Sequence, residues 1–371
     1  MPEYRTAQAF ANATPAPTDV VTAVVPRSAL ERMPKWLICV PLTLQWLWLA
    51  LRHGSSTLPS AANPAITAGG LVGEGKLEYF QAMGPVARAA TAPHCAIPPA
   101  LRQAMPAVRQ AMAVAGIDFP LIAKPDLGMC GFGVRLIANE GALSRYFDAF
   151  PVDQVVVLQQ YLPWEGEAGI FYARHPDEPR GRIIGLALRY FPSVTGDGTS
   201  SIAQLMAADP RAQRLLNRAD HEFEQDTRAV PAPGQVVRLA TVGSTRVGGL
   251  YRDGARWITP ALTAAIDAMA RDMPDFYVGR FDVRFASLPE LAQGTAFKTM
   301  EVNGAGSEAI QAWDPDMPLL QAFRTIFAKQ ALLFVIGAAN RSRGHRPVGL
   351  LRLAQLHWAQ LALLKRYPPS N

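Results

Sequence analysis

The sequence predicts an α+β chain whose lobes can close on a ligand held between them. Three observations carry that prediction. From Phe119 onward, short apolar strands alternate with amphipathic helices. Two β-rich runs, at 168–173 and 182–190, follow one another as antiparallel neighbours do. A chain of 371 residues, 49% of them hydrophobic, is also long enough for two or three lobes around a sizeable core.

In chain order, residues 1–33 are rich in Ala, Pro and Thr and lack an apolar run, so they read as a flexible leader without a secretory signal. Trp36 to Leu51 is strongly apolar and follows Arg27, Arg32 and Lys35. It is shorter than the ~20 residues of a spanning helix and Pro41 interrupts it, so a buried strand (Trp36 to Val40) and a buried helix (Leu42 to Arg52) are expected. A membrane role for this segment stays open as the alternative. Ser55 to Gly75 reads as loop, Lys76 to Met83 as helix, and Pro99 to Ala115 as an amphipathic stretch stopped by Gly116.

Phe119 to Lys124 is a short strand, followed by a glycine loop (Gly128 to Gly133), strand Val134 to Ile137, helix Glu140 to Phe150 and strand Val155 to Gln160. The β-rich pair then leads into the turn Thr195 to Gly198, short helices at Ser201 to Ala208 and Arg211 to Ala219, and a strand near Val236 to Val242. A long helix, Thr259 to Met273, precedes strands Tyr277 to Phe285 and Ala296 to Val302 and two C-terminal helices. In the second of these, Val348 to Tyr367, leucines and Trp358 cover too much of the surface for a clean amphipathic face. Packing on the core is expected, with peripheral membrane contact the alternative.

The 36 Lys and Arg against 30 Asp and Glu give a net charge of +6, which suits anionic ligands. These cations are scattered, without an aromatic-interleaved basic stripe or zinc-finger spacing, which argues against a nucleic-acid partner. Cys39, Cys95 and Cys130 are odd in number and widely spaced, so neither a disulfide framework nor a Cys-rich zinc site is expected and a reducing cytoplasm is.

The chemistry concentrates in three places. In FPLIAKPDLGMCGFGV, Lys124 ends a strand and Gly128, Gly131 and Gly133 follow in a loop whose N–H groups can surround phosphate oxygens; a glycine-rich turn without function is the competing reading. Gln160, Tyr161 and Leu162 close the next strand, where backbone groups can meet an adenine edge, and Glu167 can hold ribose hydroxyls, with Glu165 as competitor. Farther on, Arg280 and Asp282 share one strand face and Glu301 and Asn303 another. If these strands pair, Asp282, Glu301 and Asn303 form a hard oxygen cluster suited to Mg²⁺, and Arg280 can stabilise a developing oxyanion beside it.

These residues resemble the ATP-grasp superfamily, in particular its carboxylate–amine ligases such as D-alanine–D-alanine ligase, glutathione synthetase and cyanophycin synthetase, over roughly Lys76 to Glu308. The resemblance implies two α+β lobes clamping ATP, here with a shortened N-terminal α/β lobe. It implies the boundaries 1–33 leader, 34–98 N-terminal lobe and linker, 99–330 ATP-grasp domain and 331–371 C-terminal helical extension. Lys76 and Lys124 then hold the nucleotide, Gly128 to Gly133 cover its phosphates, Gln160 to Leu162 meet the adenine, and Glu167 meets the ribose. Arg189 replaces a γ-phosphate lysine, Asp282, Glu301 and Asn303 hold two Mg²⁺ ions (Mn²⁺ as substitute), Arg280 faces the acyl phosphate, and Gly306 sits in a substrate-side turn.

Two departures from the family pattern stand out. Only about forty residues, Pro34 to Gly75, precede Lys76 where D-alanine ligases carry a full domain, and Ser287 to Thr295 is an insertion expected to be a solvent loop. The activity implied is amide formation through an acyl phosphate between small carboxylate and amine substrates. A non-catalytic ATP-binding regulator and a ligase acting on a membrane-associated substrate are the alternatives. The sequence names neither substrate, nor an oligomeric state.

Overall fold

The computed structural model describes residues 25–216 and 218–371. Its helices are α1 (Ala29–Arg32), α2 (Lys35–His53), α3 (Lys76–Ala82), α4 (Pro85–Ala89), α5 (Met105–Ala115), α6 (Glu140–Ala149), α7 (Ile202–Ala208), α8 (Pro260–Arg271), α9 (Leu288–Ala292), α10 (Leu319–Ser342) and α11 (Leu350–Leu364). The strands are β1 (His94–Ile97), β2 (Leu121–Pro125), β3 (Arg135–Ile137), β4 (Val156–Gln160), β5 (Gly166–Ala173), β6 (Arg182–Tyr190), β7 (Ser193–Thr195), β8 (Val236–Arg238), β9 (Leu250–Asp253), β10 (Val278–Phe285) and β11 (Phe297–Asn303). The α+β class is as the sequence predicts.

Two antiparallel sheets frame the molecule. The first, in order β1-β4-β2-β3, has α5 and α6 on one face, and Val108, Met112, Leu121, Leu143, Phe147 and Leu158 fill the space between. The second, in order β11-β10-β5-β6-β9, buries Ile170, Leu186, Phe281 and Val283 against Leu262, Ile266 and Met269 of α8 and Tyr79 and Phe80 of α3. The period-two alternation of these strands leaves their other faces free to carry polar groups. A small hairpin, β7-β8, packs with α7 beside the second sheet's β6 end.

Several elements differ from expectation. Trp36 to Val40 is no strand: the whole apolar run forms the nineteen-residue α2, with Pro41 inside it. A proline at that position costs one helical hydrogen bond, but packing decides the outcome. Gln45 Nε2 donates to Phe327 O of α10 at 3.0 Å, the Trp46 ring meets Phe334 edge-on at 5.0 Å, and Leu49 is buried there. Gly54, at φ 70°, ends the helix. Nor is α2 buried, since Trp36, Leu44, Trp48 and Leu51 on its outward side are more than half exposed. The shortened N-terminal lobe and linker expected at 34–98 hold helices, turns and one short strand, β1.

The expected solvent loop at Ser287 to Thr295 contains α9, capped by Ser287 and anchored by the fully buried Leu291. Of the helix expected at Arg211 to Ala219, a single turn forms, Ala212–Arg214. The strand near Val236 to Val242 shortens to β8, and β1 and β9 were not expected.

The leader expectation falls mainly on residues 1–24, outside the described residues. Residues 25–33, by contrast, hold α1, with a Ser28–Glu31 capping box. The Glu31 carboxylate, almost fully buried, also takes Arg211 at 2.8 Å and Arg214 at 3.0 Å. Breaking a buried pair from one side leaves charge uncompensated, so Glu31→Ala is expected to cost about 3–5 kcal/mol of unfolding free energy. Denaturant titration checks this; a midpoint like the parent's would show that α1 is only loosely held.

Candidate functional site

The cleft between the two sheets takes its polar lining from their facing strand ends, and the strand registers dictate which side chains meet there. β10 and β11 pair antiparallel, setting Asp282 opposite Glu301 and Arg280 opposite Asn303. On the other side of β10, β5 places Gly169 opposite Asp282 and Glu167 opposite Arg284, and β6 places Arg189 opposite Glu167. One face of three adjacent strands therefore carries the row Arg284, Glu167, Arg189, next to the pair Asp282 and Glu301. Gly169 keeps that face open, because a Cβ there would lie 3.0 Å from Arg280 Cδ and 3.3 Å from Asp282 Oδ1.

The charges interlock. Arg280 grips Asp282 with two bonds, Nε to Oδ1 at 2.5 Å and Nη2 to Oδ2 at 2.9 Å. Arg189 Nη1 reaches Glu167 at 3.0 Å and Asp282 at 3.3 Å, while Arg284 Nε approaches the other Glu167 oxygen at 3.3 Å. Lys76 Nζ lies 3.3 Å from Glu301 Oε1. Its backbone is fixed by Asp126, which accepts from Leu77 N at 2.8 Å, so the first lysine is tied directly to the strand that carries the second.

Lys124 shows a less obvious device. The β10–β11 register shifts by one residue after Asp282, and Met300 is the extra residue. Its carbonyl accepts from Lys124 Nζ at 2.9 Å, and Gln159 Oε1 accepts from the same Nζ at 2.8 Å. Gln159 Nε2, also buried, has no hydrogen-bond partner among the described residues and belongs to a side chain of the cleft wall.

Burial and charge set the protonation states. Burial pushes the Lys124 ammonium down to about 8, with Glu301 opposing. Burial alone would raise the Glu301 carboxyl, but Lys76, Lys124 and Arg280 overcome it and hold it at about 2. Arg189, which burial would lower, is carried well above its ordinary value by Glu167 and Asp282. Lys329 of α10, 3.4 Å from Ser307 Oγ, is pushed down to about 7 by burial, with Arg280 adding to the effect.

The glycine loop closes the cleft from above. Cys130, Gly131 and Gly133 take positive φ, and a Cβ on Gly131 would lie 2.6 Å from Val242 Cγ1. The loop's carbonyls are held from outside, Cys130 O by Arg246 at 3.0 Å, Gly128 O by Gln360 at 3.4 Å and Leu127 O by the Tyr367 hydroxyl at 2.6 Å. Within the loop, Phe132 N donates to Met129 O at 3.0 Å and Val134 N to Gly131 O at 3.3 Å.

The cleft is lined by Lys76, Lys124, Gly128, Gly131, Gln160, Tyr161, Leu162, Glu167, Arg189, Asp282 and Glu301 among others. Gly133, Arg280 and Asn303 stand beside that wall, Asn303 Nδ2 donating to Asp282 Oδ2 at 3.3 Å. Glu165 pairs instead with Arg238 at 3.6 Å, and Gly306 lies in a turn whose N–H bonds Gly70 O at 2.6 Å. Sequence reasoning missed Gln159, Met300, Arg284 and Lys329. Of these Arg284 was within reach, since period two places it on the face of Arg280 and Asp282.

The donor chemistry of Asp282, Glu301 and Asn303 fits a hard divalent cation that shares phosphate oxygens. Asp282, Glu301 and Asn303 would hold such an ion through oxygen donors, and Mg²⁺ characteristically keeps water and substrate oxygens as further ligands. They do not form a cage by themselves, since among the described residues no group of three His, Cys, Asp or Glu side chains is placed to hold a metal ion.

The chain matches no known protein-family model, and no curated protein matches it in sequence. Among solved structures it is similar to a bifunctional glutathione synthetase from Pasteurella multocida, at 17% identity, with 68% of this chain and 36% of that one covered and a TM-score of 0.35. It is similar to a D-cycloserine synthetase at 14% identity, with coverage of 73% and 70% and a TM-score of 0.37. It is also similar to D-alanine–D-alanine ligase from Bacillus anthracis at 13% identity, with coverage of 73% and 68% and a TM-score of 0.39. This chain thus spans little more than a third of the glutathione synthetase. At such identities and scores, function rests on the geometry of the cleft itself.

That geometry makes a pH prediction. Lys124 titrates near 8 in the folded apo protein and near 10.5 unfolded. Between those values the unfolded chain binds more protons, so apo stability rises with pH, whereas a polyanion needs the charged lysine and its affinity falls. The shift in melting temperature caused by ATP should therefore be larger at pH 7 than at pH 9.5. A shift that stays constant across that range would show that Lys124 does not meet the anion.

Proposed function

We propose that this chain is an ATP-dependent carboxylate–amine ligase of the ATP-grasp type, which uses Mg²⁺, with Mn²⁺ as substitute, to form an amide through an acyl phosphate. One observation carries the reading: five cations, Lys76, Lys124, Arg189, Arg280 and Arg284, converge on three carboxylates, Glu167, Asp282 and Glu301, in one largely buried cleft. Burying so many charges is costly, and the excess is positive. A bound polyphosphate balances it, and the oxygen donors give its accompanying metal a seat.

Bound ATP and its cation would supply the γ-phosphoryl group as electrophile. The remaining work belongs to the chain. Lys76 and Lys124 hold the phosphates, and the glycine loop excludes water from above. Gln159 and the strand end Gln160 to Leu162 offer polar groups to the base, and Glu167 faces the ribose. Arg280, beyond Asp282, holds the substrate carboxylate and then the charge on the acyl phosphate. Attack by the amine forms the C–N bond as inorganic phosphate departs, and the amine's proton passes to solvent or to a nearby base.

Incubation of the protein with ATP, Mg²⁺ and panels of small carboxylates and amines tests the proposal. The expected result is stoichiometric ADP, phosphate and amide, requiring both substrates. ATP binding with no ADP formed across the panels would favour a nucleotide-binding regulator.

A further inference from the structure

Among the described residues, the outward side of α2 carries a run of exposed apolar side chains. Trp36, Leu37, Val40, Leu44, Leu47, Trp48 and Leu51 are between 39% and 85% exposed. At about 100° per residue these seven fall within an arc of about 120°, in a stripe about 22 Å long. Scattered exposed apolar residues are ordinary, but a continuous helical stripe with two tryptophans is not.

The opposite side of the helix is fastened to the protein. Gln45 bonds Phe327 O, Trp46 Nε1 donates to Ser56 O at 2.9 Å, and Leu49 packs on Phe334. The helix lies flat along α10 and cannot turn to span a bilayer without losing these contacts. α10 is itself long and apolar enough to cross a membrane and only 22% of that stretch is buried; Phe334, on its buried side, packs with Trp46 and Leu49 of α2.

Charge says what covers the stripe. Residues 35–73 and 317–371, which supply α2, α10 and α11, contain two and eight Lys or Arg and no Asp or Glu. Of these ten cations, Arg343 pairs with Asp177, Arg366 with Asp153, and Lys329 is buried beside Ser307; the others give this helical layer its positive charge. Lys35 and Arg52 are exposed at the two ends of the stripe, and the Arg52 guanidinium lies 5.4 Å from the Trp48 ring centroid. α11 extends the surface: Val348 N, just before it, bonds Ser60 Oγ at 2.7 Å, and Leu350, Leu351 and Trp358 are more than 60% exposed.

We infer that α2, with the start of α11, is an in-plane docking surface for an anionic lipid bilayer. Apolar side chains enter the acyl boundary, tryptophans sit at headgroup level, and Lys35 and Arg52 at the ends of the stripe meet lipid phosphates. The inference is independent of the ligase reading.

Flotation of the full chain with phosphatidylcholine vesicles, with and without one-third phosphatidylglycerol, tests it. The expected result is flotation with the anionic vesicles, at least about tenfold weaker on the neutral ones and weakened by salt. Leu44→Ser with Trp48→Ser, and separately Lys35→Glu with Arg52→Glu, should each reduce binding about tenfold or more while the ATP-induced melting shift stays as in the parent. Failure of the parent chain to float on anionic vesicles overturns the inference. So does a lipid-free dimer that the Leu44 and Trp48 substitutions convert to monomer, because a second copy would then cover the stripe. An Asp282→Asn protein should float normally, which separates failure here from failure of the catalytic proposal.

Discussion

Asp282→Asn is expected to lower ADP formation by roughly three orders of magnitude, the loss that follows when a preorganised charge at the reacting group is removed. Asp282 is the hub of the cleft, since it holds Arg280 through two bonds and Arg189 through one, and it stands opposite Glu301 in the hairpin. Asparagine keeps the shape and removes the charge. In the apo protein it leaves two buried guanidiniums facing a neutral amide, so unfolding free energy should also fall, by about 3–5 kcal/mol. ATP supplies negative charge to the same guanidiniums, so its stabilisation of the variant, without added metal, should exceed its stabilisation of the parent. Thermal melts with and without ATP, alongside ADP release from the substrate pair that supports it, check both halves. ADP release within a few-fold of the parent would remove Asp282 from the reaction.

That hub was legible because β-strand geometry is local. Alternation with period two puts Arg280, Asp282 and Arg284 on one face, and Glu301 and Asn303 on another, before any partner strand is known. Their convergence depends on register, which a single strand cannot reveal. The shift that frees Met300 O for Lys124 arises only when β10 and β11 pair, and Gln159 becomes a ligand of Lys124 only when β4 lies beside β2. Lys329 was out of reach for a similar reason, lying in a helix whose relation to Ser307 is tertiary.

The apolar run at Trp36 to Leu51 misled for a different physical reason. Its hydrophobicity implied burial and its proline implied a break, but one face packed on α10 suffices to hold a helix through Pro41. Burial of only half the helix then exposes the rest. Ser287 to Thr295 was more readable than its treatment as a loop suggests, because Ser287 and Glu290 are spaced as a helix start and Leu291 follows.

Gly131→Val should have the second largest effect, and it probes the loop rather than the charges. Gly131 takes φ +76°, where a β-branched residue is strained, and a Cβ there would lie 2.6 Å from Val242 Cγ1. Val242 belongs to the segment after β8, across the cleft from β2, so the contact is the point where the loop meets the opposite wall. Valine cannot occupy it without lifting the loop or displacing that wall. Because the loop's carbonyls are restrained by Arg246, Gln360 and Tyr367, lifting also disturbs contacts with the C-terminal segment. The expected result is an ATP dissociation constant raised by roughly a hundredfold, near the upper end of what misplacing a positioned group costs. Melting temperature should fall by only a few degrees, since the site is at the loop's surface and not in a core. Calorimetric titration with a non-hydrolysable ATP analogue separates binding from chemistry. An unchanged dissociation constant would mean that the loop does not close on phosphate, and would leave Lys76 and Lys124 to hold the nucleotide from the strands alone.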